Sequence, residues 1–464
     1  MKRRDFLRKS ICSALGGVGL YSALGNLKLV EAAVRGYGPK AFNDYKALVC
    51  VFMYGGNDAL NTVVPRSGTQ YAEYAEARAT LALPQSALLP LNHLAGGAPS
   101  DGGNYGLQSA IGDDDPVGTS GLQALFNNGR AAIVANVGTL IAPVTKTQYH
   151  ARSVPLPPQL FSHNDQQTYW QTSRSDDNRN LGWGGRISDL LLDANPGATI
   201  PMVVALNGES GLGRAALTNQ YVLGTNGPRY YGHLQWNDER RAAALALMQQ
   251  GTQMHALERG FASAFNRSRE NAEALGEALE VAPELGTVFP DTYLAQQLRM
   301  VAQLISVRTN LSLKRQIFFV GIGGFDHHDG LLGDHPLLLA EIAQALDAFQ
   351  TATVELGVAN SVTAFTASDF GRTLSSNGDG SDHGWGAHHF AVGGAVQGGR
   401  FYGTMPRLLN DGPDDVGWGQ IIPTTSVDQY AATLARWFGV GEAEIDLIFP
   451  NLGNFANRDL GFMN

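Results

Sequence analysis

Residues 315–324 read "RQIFFVGIGG", 335–357 read "HPLLLAEIAQALDAFQTATVELG", and 361–369 read "SVTAFTASD". The first and last are unbroken apolar runs of strand length. Unbroken rather than alternating hydrophobicity suits strands buried on both faces, as in parallel sheets. The middle stretch is rich in Ala and Leu and has helical spacing. Strand, helix and strand within about fifty residues make a βαβ unit. The same kind of apolar run recurs in "KALVCVFMYGGND" from Lys46, "RAAIVANVGT" from Arg130, "IPMVVALNG" from Ile200 and "FAVGGAV" from Phe390. Helical patterns lie between several of these runs, so the expected fold is α/β with a doubly wound, mostly parallel sheet.

Outside that pattern, residues 235–310 are rich in Ala, Leu, Glu and Arg with helical spacing, which reads as a helical insertion packed on the sheet. The 464 residues, 44% of them hydrophobic and 16% charged, describe a globular chain able to bury a large core. The expected organisation is a leader over residues 1–32 and one α/β domain over 33–464.

The leader is expected from "MKRRDFLRKS" followed by "ICSALGGVGLYSALG". Arg3 and Arg4 precede Phe6, Leu7 and an apolar stretch too short to span a membrane comfortably, which is the twin-arginine export pattern. "VEAA" offers a small-x-small cleavage site near Ala32. The expected location is periplasmic or secreted, with the twin-arginine translocase as a partner during export. Loss of residues 1–32 leaves 27 Lys/Arg against 40 Asp/Glu, a formal charge of −13. So acidic a chain has no footprint for nucleic acid or anionic lipid. Cys50 is then the only cysteine, and no intramolecular disulfide can form. No later segment has the length of a membrane span.

Open α/β sheets bind ligands at the carboxyl ends of their strands, and the polar clusters fall there. Asp58 follows the first strand in "YGGND". Asp326, His327, His328 and Asp329 follow the run at 315 in "GGFDHHDG". Asp369 follows the run at 361, and Asp382, His383, His388 and His389 lie in the next loop. Six of the eleven histidines lie between 327 and 389. Carboxylates with neutral imidazoles are ligands for divalent ions such as Zn²⁺ and Mn²⁺. The same residue types also close turns and cap helices, and at least one of His388 and His389 reads as structural. Arg372 either grips an anionic ester oxygen or pairs with a nearby carboxylate. Trp183 and Arg186 read as packing and capping residues.

The export signal, "GGNDALNTVVP", "FSHNDQQTYWQT", "GGFDHHDG", "SDFGRT", "DHGW", "TTSVDQYAATLARWFGV" and "FPNL" together resemble the domain-of-unknown-function 1501 family of exported bacterial proteins. That family is distantly similar to the alkaline phosphatase and sulfatase superfamily, whose α/β core carries two divalent metals. The resemblance implies Asp58 and Asp369 at one metal, and Asp326, His328 and His383 at the other. It places the nucleophile at Ser162 beside His163, although Ser162 reads equally as an N-cap for the following helix. Phe370 stands where a metal-binding His is often found, so one site is incomplete unless His163 substitutes from across the pocket. The implied activity is hydrolysis of a small anionic phosphate or sulfate ester with one or two divalent ions (Zn, Mn, Mg or Ca). The alternatives are a single-metal, water-based hydrolase and a non-catalytic binding or assembly protein with a degenerate site.

Overall fold

The computed structural model describes residues 42–112, 121–174, 181–229 and 255–464, with the isolated helical positions Glu239, Ala243 and Ala246. The expected leader, and the insertion between 230 and 254 apart from those three positions, lie outside the described residues. The centre is a nine-stranded sheet: β1 (Lys46–Met53), β2 (Ala131–Gly138), β3 (Val203–Ala205), β4 (Gln220–Val222), β5 (Arg315–Ile322), β6 (Val362–Ser368), β7 (Ala387–Gly393), β8 (Phe401–Tyr402) and β9 (Thr425–Ser426). Across the sheet they run β8-β2-β7-β6-β1-β5-β3-β4, with β9 also paired to β2. Every pairing is parallel except those of β7, which runs antiparallel to β6 and to β2. The fold is therefore α/β with a mixed, mostly parallel sheet. The first four residues of "FAVGGAV" are the back half of β7, which ends at Gly393 and begins earlier than expected, taking in His388 and His389.

The unbroken apolar runs have the expected physical origin. In β1, Ala47, Val49, Val51 and Met53 enter one core, while Leu48, Cys50 and Phe52 enter the core on the opposite face. β5 divides likewise, with Phe318 and Val320 on one side and Ile317 and Phe319 on the other. Alternate side chains of a strand point to opposite faces, so a strand covered on both faces cannot spare a polar position. The first face is covered by α1 (Gly121–Asn127), α5 (Tyr293–Ser306) and α6 (Leu331–Glu355). The second face is covered by α3 (Trp183–Leu190) and α7 (Val427–Phe438). The described part of the insertion is helical, as α4 (Ala256–Glu280) and α5. Arg186 on α3 is buried and donates to the carbonyls of Leu181, Thr172 and Ile448, a structural clamp as its setting suggested.

Three neighbouring strands, β6, β1 and β5, end on the same edge, and their turns interlock. The Ser368 hydroxyl donates to the Met53 carbonyl at 2.6 Å and accepts the Asn57 N–H at 2.9 Å. Gly55 has φ 114, and a Cβ there would stand 2.4 Å from the Asp326 backbone nitrogen. Only glycine permits the β1 and β5 turns to approach this closely.

Four imidazoles are buried among the described residues, and three of them, His335, His388 and His389, have hydrogen-bond partners. His388 Nδ1 accepts the Asn136 N–H at 3.1 Å, His389 Nδ1 lies 3.2 Å from the Thr366 hydroxyl, and His335 Nε2 lies 2.8 Å from Asn57 Oδ1. Burial pulls His335 and His388 down to about 4 and His389 to about 3. Below the ordinary value of 6.5 the unfolded chain takes up protons that the folded chain refuses. Stability contributed by the neutral rings is thus complete above that pH and is lost as pH falls toward 4. In chelator, the urea midpoint is expected to decline steadily from pH 6.5 to pH 4. A midpoint unchanged across that interval would contradict this burial.

Candidate metal centre

α2 (His163–Thr172) carries its first residue to the edge where β6, β1 and β5 end. There His163, Asp326 and His383 bring ligand atoms within 4.8 Å of one another. Asp326 and His328 come from the turn after β5. Asp382 and His383 come from a short hairpin that pairs Arg372–Ser376 with Ser381–His383.

Each of three imidazoles is fixed through Nδ1 to an oxygen that can only accept. His163 Nδ1 meets Asp369 Oδ2 at 2.6 Å, His328 Nδ1 meets Asp382 Oδ1 at 3.1 Å, and His383 Nδ1 meets the Phe161 carbonyl at 2.7 Å. A carboxylate or carbonyl oxygen must receive a proton in such a bond, so Nδ1 carries it in all three rings. The Nε2 atoms then converge on Asp326. His328 and His383 stand 3.2 and 3.3 Å from Oδ1, and His163 stands 3.5 Å from Oδ2. His328 Nε2 and His383 Nε2 are 3.0 Å apart. In neutral rings these are two lone pairs facing each other, a repulsive arrangement that a proton or a cation between them relieves. Four ligands about 2.0–2.1 Å from a tetrahedral metal are separated by about 3.3–3.4 Å. The spacings of 3.0–3.5 Å about the two Asp326 oxygens and between His328 and His383 bracket that edge, while His163, Asp326 and His383 are the group whose ligand atoms all lie within 4.8 Å of one another.

The surroundings hold this geometry. Phe161 has φ 70, a strained conformation for a bulky side chain, and its carbonyl is the one that holds His383. Phe370 is buried and lies under two of the rings, with centroids 4.9 Å from His163 and 4.7 Å from His383. Asp369 is fully buried. Its Oδ2 also accepts from Gln167 Nε2 at 2.9 Å and from the Gly55 N–H at 3.2 Å, while its Oδ1 is buried with no partner among the described residues. A carboxylate on the far nitrogen of a ligating imidazole is the usual outer support of a metal site.

Electrostatics follow from these contacts. The Asp369 hydrogen bond, opposed by partial burial, raises His163 above its ordinary pKa. Burial pushes the Asp326 carboxyl up, but the hydrogen bond and charge of Arg372, with His328 and His163, leave it below its ordinary value. Burial lowers His383.

The remaining candidate residues fall elsewhere. Asp58 is buried against Arg78 in an ion pair, and its Oδ1 accepts the Asn61 N–H at 3.3 Å. Arg78 also donates to the Thr373 carbonyl at 2.8 Å. Asp58 and Asp369 thus lie on adjacent strand ends, yet each is engaged with different protein groups. Arg372 is buried and donates to Asp326 Oδ1 at 2.7 Å, to the Gly55 carbonyl at 3.3 Å, and to Ser381. Of its two expected roles, the structure displays the carboxylate pair. Ser162 occupies the N-cap position of α2 but makes no capping hydrogen bond, and its hydroxyl donates instead to Asp165 at 2.6 Å. His163 was legible only as a substitute ligand, and the Phe161 carbonyl has no side-chain signal at all. His327, between Asp326 and His328, turns into the interior, where neither ring nitrogen has a hydrogen-bond partner among the described residues.

The chain belongs to the family described as "Protein of unknown function (DUF1501)", which matches residues 45–416. No curated protein matches it. It is similar to the crystal structure of Ps i-CgsB in complex with k-i-k-neocarrahexaose, at 10% identity and a TM-score of 0.33 over 89% of this chain and 77% of that one. It is also similar to the PsFucS1 sulfatase from Pseudoalteromonas sp., at 11% identity and a TM-score of 0.27 over 91% and 71%. Likenesses this distant carry no argument about chemistry. No described helix is long and apolar enough to cross a membrane.

The Asp58–Arg78 pair separates a structural carboxylate from a ligand. Arg78→Ala strands a buried charge, and removal of one partner of such a pair costs about 3–5 kcal/mol. Urea unfolding of the variant is expected to show that loss, while the metal content of the folded fraction matches wild type. Loss of metal in the folded Arg78→Ala protein would instead tie Asp58 to the metal centre.

Proposed function

We propose that this member of the DUF1501 family is an exported hydrolase of phosphate or sulfate esters that works with one divalent ion held by His163, Asp326, His328 and His383. The observation that carries this reading is the convergence of three Nε2 atoms on one carboxylate, each ring locked by an acceptor at Nδ1. Three imidazoles and a carboxylate favour Zn²⁺ over the hard ions Mg²⁺ and Ca²⁺, which prefer all-oxygen shells. When bound, such an ion supplies Lewis-acid polarisation of an ester oxygen and lowers the pKa of a nearby hydroxyl or water.

The chain's own residues supply the rest. Arg372 holds Asp326 ionised and aimed inward, and Asp369 and Asp382 orient His163 and His328. Ser162, next to His163, has its proton directed at Asp165, the pairing of nucleophile and base expected for a hydroxyl that attacks an ester. A second ion has less support: Asp58 is neutralised by Arg78, and Phe370 offers carbon where a ligand would be needed. A non-catalytic binding or assembly protein is the competing reading. It is favoured by the engagement of Arg372 with Asp326 and the protein backbone, rather than with an open anion position.

Metal analysis of the purified protein, with p-nitrophenyl phosphate and p-nitrophenyl sulfate as probes, tests this reading. About one zinc per chain is expected, with Asp326→Ala and His383→Ala losing both metal and hydrolysis. Asp369→Ala is expected to weaken metal binding by about 10–100-fold. Ser162→Ala is expected to keep the metal and lose at least about 100-fold in rate. Full activity in Ser162→Ala would remove the serine from the mechanism. Bound metal with no hydrolysis of either probe would favour the binding protein, and absence of bound metal would overturn the reading.

A further inference from the structure

Asp415–Ile421 forms a tight reversal with Gly417-Trp418-Gly419 at its tip. It is closed by a bridge between Asp415 and Ile421 and by the Val416 N–H, which donates to the Gln420 carbonyl at 3.1 Å. The buried Asp415 carboxylate accepts the N–H of Gly417 at 2.8 Å and of Asp411 at 2.9 Å. On this braced tip Trp418 is 87% exposed and sits in the left-handed region at φ 61. The tryptophans at 170, 183, 385 and 437 are all buried. A bulky residue at positive φ is strained, and an indole left in water forgoes the gain of burial. Glycine at 418 would remove both penalties, so the fold alone does not account for a tryptophan here.

The tip is fastened to the elements that build the metal centre. The Gly419 carbonyl accepts the Leu374 N–H at 2.7 Å, in the strand that begins with Arg372. Gln420 Nε2 donates to the His383 carbonyl at 3.1 Å. The Trp418 and Gln420 Cα atoms can be no more than about 7 Å apart by chain reach. Along α2 runs a groove of about 280 Å³, lined by Tyr54, Asn164, Gln167 and Thr168 and by the Glu209–Arg214 ion pair. Gln167 is the residue whose amide holds Asp369, so this groove borders the same centre. Its walls are amides, hydroxyls and a self-neutralised pair, groups that both donate to and accept from vicinal hydroxyls. The indole's negative π face suits the positive C–H face of a saturated ring.

We propose that Trp418 is a stacking platform for a sugar ring and that the groove along α2 takes sugar hydroxyls, so the ester handled at the metal centre is carried on a carbohydrate. The reacting end of this substrate rests on the ester-hydrolase reading, whereas the stacking contact does not. The indole follows Asp411 and Asp414 in the chain, against one lysine, Lys146, whose Nζ donates to the Asp411 and Gly412 carbonyls, a balance that does not favour an anionic lipid surface. With glycine on both sides it also lacks the flanking apolar residues of a protein interface core.

The test is binding of the full chain to an array of neutral and sulfated oligosaccharides, before and after chelation. Tryptophan emission is then titrated with the best-bound sugar. Wild type is expected to bind, Trp418→Ala about tenfold more weakly, and Trp418→Phe close to wild type. Trp418→Gly is expected to weaken binding as much as Trp418→Ala does while melting no lower than wild type, an outcome that a merely structural tryptophan would not give. Chelation is expected to weaken only sulfated ligands. Equal binding by Trp418→Ala, or no sugar bound by wild type, overturns the proposal. Trp418-dependent binding in a protein that neither holds metal nor hydrolyses esters would sink the hydrolase reading and leave the platform standing. Ester hydrolysis without sugar binding would do the reverse.

Discussion

The site depends on a proton-placement constraint. Asp369, Asp382 and the Phe161 carbonyl each compel one imidazole to carry its proton at Nδ1, and each ring must then offer an Nε2 lone pair on its other side. With Asp326 at the focus, the chain brings three Nε2 lone pairs to within 3.2–3.5 Å of one carboxylate. Facing lone pairs beside a carboxylate repel one another unless a positive charge lies between them. Arg372 supplies part of that charge from one side. Two imidazoles whose Nε2 atoms face each other at 3.0 Å leave room for the rest.

The fold exists to bring these groups to one edge. Burial of β1 and β5 on both faces fixes the sheet, and the sheet fixes where the turns after β1, β5 and β6 meet. Gly55 lets two of those turns touch, and its N–H helps hold Asp369. α2 then delivers His163 from outside the sheet, through a chain reversal strained enough to put Phe161 at φ 70. Strain of this kind persists when its surroundings over-determine it, which is commoner at functional sites than elsewhere.

Much of the architecture was legible because it follows from period and burial. Continuous apolar runs marked the central strands, and Asp326, His328 and His383 stood out as polar residues where such runs end. Less legible was anything decided by distant pairing. Asp58 resembles a ligand in "GGND", but Arg78 arrives from twenty residues away to neutralise it. Arg372 offered two roles, and only packing showed it against Asp326. The carbonyl of Phe161 is invisible to any reading of side chains. His388 and His389 share the residue type of the proposed ligands but lie inside an antiparallel strand, where burial keeps them neutral. Trp418 has no periodic context and draws attention only once its exposure and backbone are known.

X-ray absorption at the zinc edge of the metal-loaded protein tests the central claim most directly. The account predicts a four-coordinate shell of about three nitrogens and one oxygen near 2.0–2.1 Å, with the multiple-scattering signature of imidazole. In His163→Ala one imidazole should be missing from that shell. An all-oxygen shell, or a wild-type spectrum unchanged in His163→Ala, would contradict the site built here.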